Sequence, residues 1–449
     1  MTAWSRLQTV AGALRGRRSL FALLTAESVS MLGSRMTFIA LPWLVLSTTG
    51  SPVKTGLVAA AEMLPYVLAN AFGAPLVNRL GTRRVGIVAD VVSALTLGGV
   101  AFVYRGGLPL LLLLVALTGA LRGIGDNAKK VLLRYVVEDT GTNMLRVTTV
   151  YDGITRLSTM LGAPLGGVVV YAIGPLHTVA LDAASFAASA LLMIFLVRSP
   201  AESADAEKSK GTAEPYFTAL RNGFSYLRQD RLVMGMIVML FFTNMFTQAN
   251  SGVFVPLWVR DTLHSPAGLG LVAGAFATGA VLGNIVFAAI GPKLPRYATL
   301  VIGYLIGGSP RFITLALSDQ VAVVMAVSFT AGMALSSANP IIGALMFERV
   351  PPDMLARVGG LATAVAWAGI PLGAVLGGWT VEAFDLTTAL LLAGGLYLAA
   401  TLIPVINRRT WRTMNTKPTP AADGRAEPET GAGSDGTPGT EPEAAAATA

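Results

Sequence analysis

The sequence predicts an all-α membrane protein, with twelve transmembrane helices arranged as two six-helix halves. Three observations carry that expectation. Hydrophobic residues make up 53% of the 449 positions and charged residues only 13%, about half the charged fraction of an ordinary soluble domain. Twelve stretches are apolar and long enough to cross a hydrocarbon core, which takes roughly 20 residues at about 1.5 Å rise each. Finally, Gly153, Gly162, Pro164 and Gly166 recur 207 positions later as Gly360, Gly369, Pro371 and Gly373. Both sets fall in the fifth apolar stretch of their half, so the chain reads as a duplicated bundle. Glycines along a spanning helix admit another backbone at short range, and a proline bends the helix while its neighbours re-satisfy the freed groups.

In chain order, the first six stretches lie near 20–48, 53–78, 85–104, 108–130, 150–172 and 177–197. The second six lie near 232–258, 267–290, 297–317, 321–346, 358–381 and 386–406. Residues 1–19 are basic (Arg6, Arg15, Arg17, Arg18), but the apolar run after them is too long for a signal-peptide core and reads as a retained first helix. The expected bundles are therefore 20–197 and 232–407. Between them, 198–231 is the longest internal hydrophilic segment. Ser199 to Asp205 has linker composition, while Tyr216 to Leu227 carries apolar residues at helical spacing and suits a membrane surface. Residues 408–449 are expected to form a disordered tail, because their Pro, Gly, Ala, Thr and Glu show no apolar period.

Charge sets the expected orientation. Of the Lys and Arg, only Lys54, Arg105 and Arg260 are assigned to the side opposite the termini, so the positive-inside rule puts both termini in the cytoplasm. The net charge of +8 is accounted for by topology, and the expected partner is a bilayer, with no nucleic acid required. The absence of cysteine excludes disulfides and thiolate metal sites, and His177 and His264 are too far apart for a metal cluster. No Gly-x4-Gly-Lys-Ser/Thr loop exists for ATP, no cofactor is expected, and no nucleophile motif favours an enzyme.

The loop after the second stretch reads Ala74-Pro75-Leu76-Val77-Asn78-Arg79-Leu80-Gly81-Thr82-Arg83-Arg84. With the six-plus-six pattern and the central linker, it resembles the major facilitator superfamily, whose halves rock about a site near the bilayer midplane. Asn78, Arg79, Gly81, Arg83 and Arg84 match that family's gating motif, with Ala74 in place of a glycine and Asn78 in place of an aspartate. The substitution at Asn78 removes the negative charge that latches the family's inner gate. Gly153, Gly162, Pro164, Gly166 and Gly167 resemble its antiporter motif, associated with exporters. The segment from Ala40 to Pro52 resembles the branch holding the enterobactin and macrolide exporters. The resemblance implies a proton-coupled antiporter that exports amphipathic, drug-like or siderophore-like molecules by alternating access. Its partners would be the bilayer, a small-molecule substrate and protons, and it would work as a monomer. The Ala, Gly and Arg richness suits a GC-rich bacterium, hence a bacterial plasma membrane. An importer or facilitator of the same fold, or a non-transporting receptor or scaffold, is the alternative.

A proton carrier needs a carboxylate whose proton affinity changes between the two faces. Glu27, Glu62, Asp90, Asp126, Asp152 and Asp182 all lie in or beside first-half spans, whereas second-half spans offer none before Glu382. The proton is expected on Glu27 or Glu62, with Arg35 as counter-charge; a static buried pair is the alternative. Arg122 and Asp126, four apart, share a helix face. The resemblance makes Arg122 a proton-transfer arginine, while Asp126 could instead pair with Arg83 or Arg84, or simply with Arg122. Asp90 and Asp182 read as structural, Asp152 and Arg156 as a helix-start pair, and Arg311, after Pro310, as a snorkelling arginine without a substrate role. In the second half, Asn244, Thr247, Gln248 and Ser251 form one polar stripe beside Phe241, Phe242 and Phe246, suited to an uncharged or amphipathic ligand or to interhelical packing. Ser336, Ser337 and Asn339 precede Pro340, where freed carbonyls could face the cavity or the proline could simply kink the helix.

Overall fold

A computed structural model describes residues 3–103, 107–140, 144–197, 224–351 and 354–415, and every regular element among them is helical. Twelve helical segments are long and apolar enough to cross a membrane. Spans one to six are Arg18–Thr49, Pro52–Phe72, Thr82–Phe102, Leu108–Val137, Gly153–Ile173 and Pro175–Leu196. Spans seven to twelve are Arg231–Leu263, Ala267–Lys293, Arg296–Leu317, Val321–Arg349, Val358–Ala383 and Leu386–Ile406. Span four runs further than hydropathy suggested, inside a helix that reaches Thr140.

Local chemistry sets the span ends. Ser51 Oγ accepts from Lys54 N at 3.3 Å with Pro52 in the first helical turn, so span two starts where a missing N–H costs nothing. Asp230 caps span seven by accepting from the N–H groups of Leu232 and Val233 at 2.9 and 3.1 Å. Span two stops at Gly73, a short helix Ala74–Leu80 carries the loop, and Gly81, at φ 86, makes the left-handed turn into span three. Three spans are interrupted. Span seven holds two π-helical pieces, Asn250–Phe254 and Val259–Leu263; span nine breaks at Gly308; span ten breaks at Ser336 and Ser337. Such breaks redirect side chains and leave backbone groups free to face a polar interior.

The repeated glycines do the same work in both halves. Gly162 and Gly166 pack against Arg35 and Met36 of span one, and Gly369 and Gly373 against the carbonyls of Phe241 and Met245 of span seven. The next turn of each fifth span then meets the opposite half. A Cβ on Gly270 of span eight would stand 2.8 Å from the Pro164 carbonyl oxygen, and one on Gly378 would stand 2.5 Å from that of Pro52. Gly56 packs just as tightly on the Ala374 carbonyl. The two halves thus meet along spans two and eleven and spans five and eight, toward the side opposite the termini. There Ser51 Oγ donates to Glu382 Oε2 at 3.4 Å and Arg260 Nη1 donates to the Gly50 carbonyl at 3.2 Å. Gly153 and Gly360, at the terminus side, meet nothing within 4 Å.

Two segments at the terminus side depart from expectation. Residues 408–415 were expected to be disordered, yet Arg408–Arg412 is helical and Trp411 is 1% exposed, its ring packed over Gly235. Arg349 Nη2 donates to Thr413 Oγ1 at 2.8 Å, and Tyr297 N donates to Asn415 Oδ1 at 3.0 Å. Burial of one indole outweighs the polar composition around it. The end of the linker also docks on the second bundle: Leu227 is buried and the Tyr226 hydroxyl donates to the Arg349 carbonyl at 2.7 Å. The rest of the linker, 198–223, and the tail, 416–449, lie outside the described residues.

Candidate functional site

Between the halves lies a cavity of about 1390 Å³, walled by spans one, five, seven, eight, nine and ten. Its wall is mostly apolar, with Phe38, Ile39, Met160, Val272, Phe276 and Phe287, and its neutral polar groups include Thr247, Asn250, Ser251 and Asn284. It reaches Gly153, Gly291, Pro292 and Arg296 at the terminus side, where no glycine seam closes the halves. Three arginines line it, Arg35, Arg296 and Arg311, and among the described lining residues there is no carboxylate. Arg296, at the mouth, is neutralised by a bidentate pair with Glu348 at 2.6 and 2.8 Å.

The second-half stripe divides. Thr247 and Ser251 line the cavity, but Asn244 donates across to the Ala366 carbonyl of span eleven at 2.9 Å, and Gln248 is buried with Nε2 lacking a partner. Phe242 is exposed and off the cavity wall, edge-on to Phe241 at 5.3 Å between ring centroids. Asn339 is likewise exposed and off the wall, while Pro340 and Ile341 line it and the Ser336 and Ser337 hydroxyls bond back to carbonyls one turn earlier. The expectation for Arg311 is corrected outright. It does not snorkel: it is 7% exposed and faces the cavity. The break at Gly308 turns the helix Ser309–Leu317, held by a 2.8 Å bond from Ser309 Oγ to the Gly394 carbonyl, so that Arg311 points inward. Its Nη2 donates to Thr247 Oγ1 at 2.8 Å, and its guanidinium lies over the rings of Phe312, Tyr397 and Phe276 at 5.3, 5.7 and 5.9 Å.

The first bundle encloses a charge network beside this cavity. Glu62 is buried as expected, but its partner is Arg122, at 2.6 Å, and Arg35 instead turns to the cavity. Arg122 does not pair with Asp126 four residues on; it lies over the Tyr66 ring at 5.3 Å, and the Tyr66 hydroxyl donates to Asp126 Oδ2 at 3.1 Å. Glu62, Arg122, Thr37 and Asp182 share a small enclosed pocket. A second buried pair joins Lys129 to Asp90 at 2.8 Å, with Ser189 donating to the same carboxylate at 2.6 Å. A fourth stretch of 108–130 puts Lys129 at its end, at the membrane surface, whereas the apolar residues from Val131 to Val137 carry the span past it and bury it. Glu27 is 2% exposed, and its Oε1 has no hydrogen-bond partner.

In the gating loop, Arg79 and Arg84 are exposed, and no described ion pair joins Asp126 to Arg83 or Arg84, so Asp126 does not supply through them the negative charge missing at Asn78. Arg83 caps span six, donating to the carbonyls of Val197, Met193 and Ile194 at 2.7, 3.2 and 2.8 Å, where a cation complements the helix dipole. The side chains of Asn78, Asp152 and Arg156 lie outside the described residues.

A pair of repeat-related helical bundles sharing a membrane-depth cavity, sealed at one end and open at the other, defines a membrane transport protein. The model of the Major Facilitator Superfamily matches residues 23–249 and 237–435. The chain belongs to that superfamily. It is 27% identical over 412 residues to the multidrug efflux pump Tap of Mycobacterium tuberculosis (strain ATCC 25618 / H37Rv), covering 90% of this chain and 96% of that one. A multi-drug resistance efflux pump PmrA homolog of Lactococcus lactis is 23% identical over 374 residues, covering 80% and 87%. Among solved structures, the nucleoside transporter NupG superposes with a TM-score of 0.71 at 14% identity, covering 88% of this chain and 99% of NupG. An inward-facing, unoccupied bacterial homolog of the lysosomal transporter Spinster gives 0.66 at 14% identity, covering 91% and 99%.

Proposed function

We propose that this protein is a proton-coupled antiporter that exports amphipathic small molecules from a bacterial cell by alternating access. The observation that carries the reading is the cavity, open at the terminus side and sealed opposite by backbone packed on glycine. With the termini in the cytoplasm, as the distribution of Lys and Arg favours, this is the inward-facing member of a pair of states. Efflux pumps among its relatives support export. The largely apolar wall with a few polar groups suits amphipathic cargo.

Coupling is assigned to the first bundle, which buries Glu27 and Glu62, whereas the cavity wall itself offers no described carboxylate. Glu27 is the leading proton carrier. A charged, buried carboxylate with an oxygen lacking a donor is costly, and protonation removes that cost. Glu62 is the second candidate, through Arg122, which can release it only if the pair opens. Arg35 then acts on the cargo side, and the counter-charge role passes to Arg122.

The test is substrate-induced proton release in inverted vesicles carrying the protein, screened across lipophilic cations, macrolides and siderophores. A substrate-dependent collapse of the pH gradient is expected, and Glu27→Gln is expected to abolish it while retaining substrate binding. Substrate movement without proton flux in the wild type would refute the coupling. Wild-type transport equal to empty vesicles would refute the carrier itself.

A further inference from the structure

We infer that the deep end of the cavity is an anion-recognition site formed by Arg311 and Arg35, and that the preferred cargo is an amphipathic organic anion. Such a molecule pairs an aromatic or aliphatic body with a carboxylate, sulfonate or phosphate. This rests on the cavity being the transport site.

The argument begins with the charge count of the wall. Of its three arginines, Arg296 already has Glu348, leaving two guanidinium groups, one from each bundle, with no described ion-pair partner. Of the carboxylates around Arg35, Glu62 is paired with Arg122 and Asp126 accepts from the neutral Tyr66 hydroxyl, and no described ion pair joins either of them to Arg35. In the second bundle the described carboxylates within the span bounds, Asp261, Glu348 and Glu382, bond to Arg260, Arg296 and Ser51, and no described ion pair joins any of them to Arg311. Burying a cation without a counter-ion is costly. Three aromatic faces and one threonine hydroxyl offset part of that cost, yet Nε, fully buried, has no acceptor. The planar fork of donors suits a carboxylate or phosphate oxygen. A lipophilic cation in the same space would face two like charges in a poorly screened setting, with no carboxylate among the described wall residues to hold it. The aromatic and aliphatic side chains that line the same cavity supply the surface for the body of the cargo.

Fluorescein, an anion, and rhodamine 6G, a cation, share a xanthene ring and differ in the sign of their charge, and the change in the ratio of their affinities on replacing an arginine reports that arginine's contribution. Binding of each to the purified full-length protein is measured by fluorescence polarisation, and uptake of each into proteoliposomes by trapped dye. Fluorescein is expected to bind on the order of tenfold or more tighter, as a charge-assisted hydrogen bond allows. Arg311→Gln should bring the ratio of the two affinities toward one, and Arg311→Lys should keep it above one. Arg35→Gln, at a side chain open to the cavity, gives the same reading independently should Arg311→Gln fail to fold. Tighter rhodamine 6G binding by the wild type, or a fluorescein preference untouched by both Gln variants, overturns the assignment. Transport of rhodamine 6G alone overturns the anion site and leaves the carrier standing. Arg311-dependent fluorescein binding with no dye transported supports the anion site and overturns the carrier reading.

Discussion

Gly378→Ala should tip the protein out of the state that is open at the terminus side. The added Cβ would stand 2.5 Å from the Pro52 carbonyl oxygen, 3.0 Å from Val53 Cα and 3.1 Å from the Pro52 carbonyl carbon. Ordinary contacts lie at about 3.5–4.0 Å, and all three neighbours are backbone, so spans two and eleven must part by roughly 1 Å. Overpacking of this kind costs about 1–3 kcal/mol. That cost falls only on the state in which the seam is closed, so the equilibrium should move roughly 5- to 150-fold toward the state in which it is open. The chain contains no cysteine, which makes single-cysteine labelling free of background. With Ala344→Cys on the cavity wall, maleimide labelling should slow in Gly378→Ala. With Ala59→Cys, buried beside Ala374, it should accelerate. Gly98→Ala, where a Cβ meets nothing within 4 Å, is the control. Labelling rates in Gly378→Ala indistinguishable from those in Gly98→Ala would show that the seam does not hold the side opposite the termini closed.

Two further outcomes follow from the same geometry. Arg122→Gln strands the Glu62 carboxylate in a buried site and should destabilise the protein by about 3–5 kcal/mol, whereas Tyr66→Phe, which removes one hydroxyl, should cost about 1 kcal/mol; equal melting temperatures for the two variants would contradict the assigned pairing. Outside the membrane, Asp385 caps span twelve by accepting from Thr388 Oγ1 at 2.6 Å and Thr388 N at 2.8 Å, and these bonds hold its carboxyl below the ordinary carboxylate range. Its contribution is therefore complete above the unfolded value near pH 4 and is lost as pH falls through the lower folded one. Asp385→Asn should flatten that part of the acid limb of a pH–stability curve, and an unchanged limb would refute the cap's role.

The spans, the duplication and the presence of close-packing glycines in each fifth span were legible in the sequence, because hydropathy and small-residue spacing act locally along one chain. Gly162 and Gly369 could be matched by their 207-residue offset, and both pack on the first span of their own half. The list of buried carboxylates was legible too, since any Glu or Asp inside an apolar run must be accommodated. Their partners were not. Helical periodicity suggested Arg122 with Asp126 on one face, while the structure joins Arg122 to Glu62, sixty positions away on another helix. Hydropathy equally made Arg311 a residue reaching for the interface, because it treats a span as a straight cylinder. The break at Gly308 turns it into the cavity. Burial of Trp411 likewise required a groove that the polar tail sequence does not contain. Sequence determined which segments enter the membrane, a sum of transfer free energies along the chain. Only the tertiary structure decided which charges are neutralised and which remain to meet a ligand, because an ion pair depends on two helix faces meeting at about 3 Å.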